Sequence, residues 1–225
     1  MKKLILILIS LFIFLSGQTG FSYTINDPVG DKIGDWKFDI YGIDVLYTPS
    51  AMTFSIYTNY PQSGFTVGSW LTFPGDLAID VNLDGIYEYG FALTGHNGFL
   101  AGKLYNVSDW YISNYYKPAS GSYTYNQNKI VTIKNGTSAG NASSWGWTEI
   151  NTPGSPVGPD YRVDIVLDPS LFSGFGDEIG LYWASATCAN DYIEGSAHVP
   201  EPATMLLLGS GLIGLAGFAR KRFKK

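Results

Sequence analysis

The chain has 225 residues, with 19 Asp and Glu against 14 Lys and Arg, two His and one Cys. A formal charge of −5 argues against a nucleic-acid partner, because phosphate binding wants a basic face. The lone Cys188 excludes an intramolecular disulfide, and no Cys/His cluster with metal-ligand spacing occurs.

Met1-Lys2-Lys3 is a positive n-region, Leu4 to Leu15 is apolar, and Gly20-Phe21-Ser22 supplies a small-x-small site. Residues 1–22 are therefore expected to be a signal peptide, cleaved after Ser22. Only Glu201 of the 19 acidic residues lies beyond residues 23–196, whereas seven of the 14 basic ones do, so the central chain is near −11. An acidic, exported, Gly-rich domain suits hard cations such as Ca2+. Solubility through net charge would need no ligand at all.

The central domain opens with Asp27-Pro-Val-Gly-Asp31-Lys-Ile-Gly-Asp35, followed by Asp39. Carboxylates interleaved with Gly can fold around Ca2+, which takes six to eight oxygens at flexible geometry. They can equally cap backbone N–H groups in Asp/Gly turns. This opening, with Asp39-Ile40 entering the next strand, resembles the start of secreted carbohydrate-binding β-sandwiches. The resemblance implies calcium at Asp27, Asp31, Asp35 and Asp39.

Period-two alternation then recurs: Trp36, Phe38, Ile40; Met52, Phe54, Ile56; Tyr161, Val163, Ile165; and a weaker Ile179, Leu181, Trp183. Many short strands separated by Asn/Asp/Gly/Pro turns predict an all-β fold, an antiparallel β-sandwich with jelly-roll-like character. Strands are expected over Leu77–Val81 and Ile86–Leu93, joined by Asp80-Val-Asn82-Leu-Asp84-Gly85-Ile-Tyr-Glu88. This nonapeptide resembles the first part of an EF-hand or dockerin loop, with oxygens at Asp80, Asn82, Asp84 and Glu88 and Gly at the sixth place. It departs from that pattern at the twelfth place, which is Phe91 instead of a bidentate acid. Either a calcium-stiffened turn or a plain hairpin fits.

The stretch Ser108–Gly158 is rich in Tyr, Asn, Ser and Gly and poor in aliphatics, which predicts long loops or an edge insertion, with short strands near Lys129–Ile133 and Trp145–Ile150. It holds Gly136-Thr-Ser138-Ala-Gly140, a nucleophile-elbow string, but a poor helix start follows it and no suitable histidine comes after, so Ser138 is expected to be loop chemistry. Trp145 and Trp147 point to one side of an extended chain and could stack on sugar rings, though core packing is the commoner fate of Trp. Thr187 to Gly195 contains Cys188-Ala-Asn190-Asp191-Tyr-Ile193-Glu-Gly195, whose role the spacing does not disclose.

The chain finishes with Pro200-Glu201-Pro202, an uncharged apolar run over about 203–219, and a basic cluster, residues 220–225, that begins Arg220-Lys221-Arg222. Seventeen apolar residues are near the lower limit for a spanning helix, and the basic cluster should stay cytoplasmic. The order and terminal position of these parts resemble the PEP-CTERM sorting signal of exosortase-dependent surface proteins, and the Cys188–Gly195 string resembles a recurring feature of the same proteins. The resemblance implies a sorting signal over 197–225, an exosortase partner, transient anchoring in the inner membrane, and delivery to the surface or matrix of a Gram-negative bacterium that makes exopolysaccharide. A retained tail anchor is the plainer alternative. The expected function is a non-catalytic structural or adhesive one, with a calcium-stabilised carbohydrate-binding module as the alternative and a surface hydrolase as a distant third.

Overall fold

A computed structural model describes residues 20–68, 70–113, 126–151, 158–174, 176–199 and 211. Thirteen strands are seen among them: β1 (Phe21–Asn26), β2 (Ile40–Thr48), β3 (Ala51–Thr58), β4 (Phe65–Val67), β5 (Trp70–Thr72), β6 (Leu77–Asp80), β7 (Tyr89–Phe91), β8 (Lys103–Ile112), β9 (Ile130–Asn141), β10 (Ser144–Glu149), β11 (Tyr161–Leu167), β12 (Glu178–Ala184) and β13 (Tyr192–His198). All pairings are antiparallel. One sheet runs β1-β2-β3-β11-β10, the other β13-β12-β6-β7-β8-β9, and β4-β5 form a small ribbon.

The two sheets face each other across one core, which makes the domain an antiparallel β-sandwich. β3 alternates strictly, with Met52, Phe54 and Ile56 buried and Thr53 and Ser55 half-exposed. Ile43 and Val45 of β2, and Val163 and Ile165 of β11, join them from the same sheet. Ile79, Phe91, Leu181, Trp183 and Ile193 meet them from the other. Each such side chain contributes roughly 1.5–3 kcal/mol on burial. The Trp183 indole N–H donates to Gly75 O at 3.0 Å, so the largest core side chain leaves no orphaned donor.

The second sheet is buried on both faces. In β12, Tyr182 and Ala184 are as hidden as Leu181 and Trp183. The cause is the β8–β9 hairpin, whose pairing is interrupted by four register shifts. Bulges bend a strand and increase its twist. The far half of the hairpin folds back over the sheet, so that Asp76 N–H donates to Val131 O at 2.8 Å and Trp110 Nε1 donates to Tyr87 O at 3.1 Å. Gly90 lies directly beneath: a Cβ there would stand 2.7 Å from the Trp110 ring and 2.8 Å from Ile133. Buried Asp76 holds the fold-back, accepting from Leu93 N (3.2 Å), Ile133 N (2.8 Å) and His96 Nε2 (2.7 Å).

Three local expectations are corrected. Trp36–Phe38 is a 3-10 turn, because Asp35 Oδ1 accepts from Lys37 N at 3.0 Å and caps it; the strand starts at Ile40. The strand expected over Ile86–Leu93 is confined to Tyr89–Phe91, since Asp84 Oδ1 holds Ile86 N–H at 2.8 Å in the preceding turn. In Ser108–Gly158 the strands expected near Lys129–Ile133 and Trp145–Ile150 are present as β9 and β10, but β9 runs on to Asn141 and half of β8 also lies here where loop was expected, their alternation disguised by the bulges. Of the expected signal peptide over 1–22 only Gly20, Phe21 and Ser22 are described, the last two in β1, and the expected span over 203–219 lies outside the described residues apart from Gly211. Among the described residues no helix is long and apolar enough to cross a membrane.

Candidate functional site

Two carboxylate clusters lie at opposite ends of β13, a seven-residue strand spanning about 23 Å. The first gathers Asp27, just past β1, Asp31 in the following loop, and Asp191, just before β13. One carboxylate oxygen of each lies within 4.8 Å of the others. Asp39, beside them, is buried and accepts from Gly30 N at 2.9 Å, with Lys32 Nζ 4.0 Å from its other oxygen. Asp35, the fourth acid expected here, is diverted to its capping bond.

The electrostatics of this cluster are unfavourable without a cation. Burial, followed by repulsion from Asp191, Asp31 and Asp39, pushes the Asp27 carboxyl up to about 8. Burial, opposed by the Ile40 N–H and reinforced by Asp31 and Asp39, pushes Asp191 up to about 7. Asp27 Oδ2 is buried with no hydrogen-bond partner. A buried carboxylate oxygen without a partner is costly, and a hard cation is one way to satisfy it.

Asp191 is the member the sequence did not single out as a ligand, and the structure explains the string around it. Cys188 is buried, which pushes its thiol up to about 12 and leaves it unreactive. Asn190 clamps the acidic loop, donating from Nδ2 to Ile33 O at 2.6 Å and accepting Ile33 N–H at its own carbonyl at 2.7 Å. Asp191 Oδ2 accepts from Ile40 N at 2.8 Å, tying β13 to the start of β2. Ile193 enters the core, and Gly195 makes room for Ile25, whose Cγ2 would be 2.7 Å from any Cβ there. The string is thus the partner of the Asp27–Asp39 loop, 157 residues away in the Asn190–Ile33 contact.

The second cluster lies in the loop between β6 and β7. One oxygen each from Asp80, Asp84 and Glu88 lies within 4.8 Å of the others. Asp80 Oδ1 accepts from Asn82 N (3.1 Å) and Leu83 N (2.7 Å), and its Oδ2 from Gly85 N (2.8 Å). Asn82 Oδ1 accepts from Asp84 N at 2.9 Å while its amide donates to Glu88 Oε1 at 3.0 Å. Gly85 takes a left-handed φ of 84°, which the tight loop needs. Phe91, at the place of the missing acid, is a core residue of β7. The cluster lies at the end of the sandwich where β13 finishes: Asp80 pairs with Gly180, and Gly180 with Ser196.

Trp145 and Trp147 do share one side of β10, but that side is the core. Both pack against the central cluster, Trp145 edge-on to Phe91 at 6.1 Å and Trp147 edge-on to Tyr161 at 6.2 Å. Gly102, at φ +80°, is where the Trp145 indole lies, and a Cβ would overlap the ring. Gly102→Ala is therefore expected to cost about 2–4 kcal/mol in urea unfolding; an unchanged midpoint would mean that Trp145 is free to leave the core. Ser138 sits inside β9 opposite Tyr105, so the strand–turn–helix of a nucleophile elbow is absent there.

β13 ends flush with the sorting motif. Val199 is fully buried and its N–H donates to Asp177 O at 2.7 Å, and His198 Nε2 lies 2.9 Å from Glu178 Oε1. Pro200, Glu201, Pro202, Arg220, Lys221 and Arg222 lie outside the described residues. Residues 198–222 match the family described as the PEP-CTERM protein-sorting motif. No curated protein and no solved structure matches the chain.

Proposed function

We propose that this chain, a PEP-CTERM protein sorted to the cell surface by an exosortase, serves there as a non-catalytic structural component of a Gram-negative cell envelope or its exopolysaccharide matrix. The match over 198–222, placed directly after a folded and acidic sandwich, carries the proposal. Calcium is the proposed ligand of both carboxylate clusters, and the partnerless Asp27 Oδ2 is the observation that favours it. In this role the ion joins two distant chain segments, the Asp27–Asp31 loop and the start of β13 at Asp191, and stiffens the end of the sandwich farthest from the sorting motif. A glycan-binding role draws less support, since the Trp145 and Trp147 rings are taken up by the core.

The intact mass of the protein from its native host tests the sorting step. A mass ending between Val199 and the apolar run, bare or carrying an added group, is expected. A mature form that still carries Lys225 would make the chain a tail-anchored protein and remove the basis for a surface role.

A further inference from the structure

The junction between the sandwich and its sorting motif has no slack. β13 is an edge strand, paired with β12 in unbroken register from Tyr192↔Ala184 to His198↔Glu178. Its last turns are held four ways: Ala197 and Val199 are fully buried, Val199 N–H bonds Asp177 O, Glu178 Oε2 accepts from Ser196 Oγ at 3.2 Å, and Glu178 Oε1 faces His198. Pro200, the first residue of the Pro-Glu-Pro motif, comes next. At the strand's other end Asp191 pins β13 to Ile40, so only the C-terminal part can lift without opening the domain.

A membrane enzyme that reads the motif as an extended chain needs room on both sides of it. With β13 docked, the residues on the N-terminal side are part of a sheet and a core. We propose that the end of β13 is a latch on processing: exosortase takes the chain with Ala197–Val199 lifted from the sandwich, and the docked strand withholds the motif. Strand ends open locally far more often than domains unfold, and cleavage of an opened segment tracks the population of the open form. Processing then follows the stability of a few contacts at one strand end, with the rest of the domain intact. The proposal rests on the exosortase reading above.

The test follows conversion of the full-length chain to its processed form in the native host by pulse-chase. A short Gly/Ser spacer between Val199 and Pro200 is expected to speed conversion roughly tenfold, because the motif is then free while β13 stays docked. Val199→Ala, which removes two buried methyl carbons from the latch, is expected to speed it by a similar factor without the spacer and to add nothing with it. Ile56→Val weakens the core at β3, a strand of the other sheet that pairs with β2 and β11, and is expected to leave the rate unchanged. A spacer variant processed at the wild-type rate overturns the latch, as does an Ile56→Val effect equal to that of Val199→Ala. If wild type and spacer variant both keep Lys225, the sorting reading itself has failed and the latch falls with it.

Discussion

Stripping divalent cations from the mature protein at pH 8 is expected to lower its melting temperature by on the order of 10 °C, and the loss should shrink as the pH falls toward 5. The Asp27 and Asp191 carboxyls are raised to about 8 and about 7 from an ordinary value of 3.8. Between those limits the cation-free folded protein holds protons that the unfolded chain has released. Its stability therefore falls as pH rises from about 4 through the folded values, and levels off above them. Calcium replaces those protons, so its contribution grows over the same window. Asp27 is half-buried, and solvent screening reduces the effect to a few kcal/mol. Calorimetry at pH 5 and pH 8, with calcium and with chelator, reads all four states. Asp27→Asn should raise the cation-free melting temperature at pH 8 and remove most of the calcium increment, whereas Asp80→Ala with Asp84→Ala isolates the second cluster. A melting temperature indifferent to both pH and calcium would remove the metal from the first cluster.

Asp76→Ala is expected to destabilise the domain by about 3–5 kcal/mol, because it removes a buried acceptor of several hydrogen bonds. Its carboxylate receives two backbone N–H groups, Leu93 and Ile133, and His96 Nε2. Alanine would leave both amides buried without an acceptor, and each such amide costs about 1–3 kcal/mol. The loss should be localised: Ile133 N–H anchors the folded-back half of β9, so Trp110 should move toward solvent before the core melts. Urea unfolding followed by tryptophan fluorescence and far-UV circular dichroism checks this, with the fluorescence change expected at lower denaturant. Asp76→Asn keeps one acceptor oxygen and should lose less. A cost near 1 kcal/mol, with coincident transitions, would mean that water substitutes for the carboxylate and that the fold-back does not depend on it.

Much of this protein is written in short-range pattern. Period-two alternation located β3, β11 and β12, because each hides one face in the central core and Met52, Phe54 and Ile56 cannot be exposed cheaply. The Asp80–Glu88 loop was legible because its turn geometry depends on spacing within nine residues and on Gly85. The sorting motif was legible for the same reason, being a contiguous signal that an enzyme reads locally.

The rest depends on contacts between distant segments. Alternation at Trp36, Phe38 and Ile40 misled because the Asp35 side chain, accepting from the Lys37 N–H, outweighs a weak strand pattern. The Trp145 and Trp147 pair was placed on one side by simple geometry, but whether that side met sugar or core was settled by β7 of the facing sheet, whose Phe91 meets Trp145 edge-on, with Tyr161 of the neighbouring strand beside Trp147. Asp191 joins Asp27 and Asp31 only because β13 runs beside β1 and ends its pairing at that level. By itself the sequence determined the β-rich class, the Asp80 loop and the sorting motif over 198–222, all set by residues close together along it. The tertiary structure alone decided which acids share a site, which aromatics are spent on the core, and that the last strand is docked as far as Val199. Those outcomes turn on burial and on unpaired charge, which exist only once the sheets have closed.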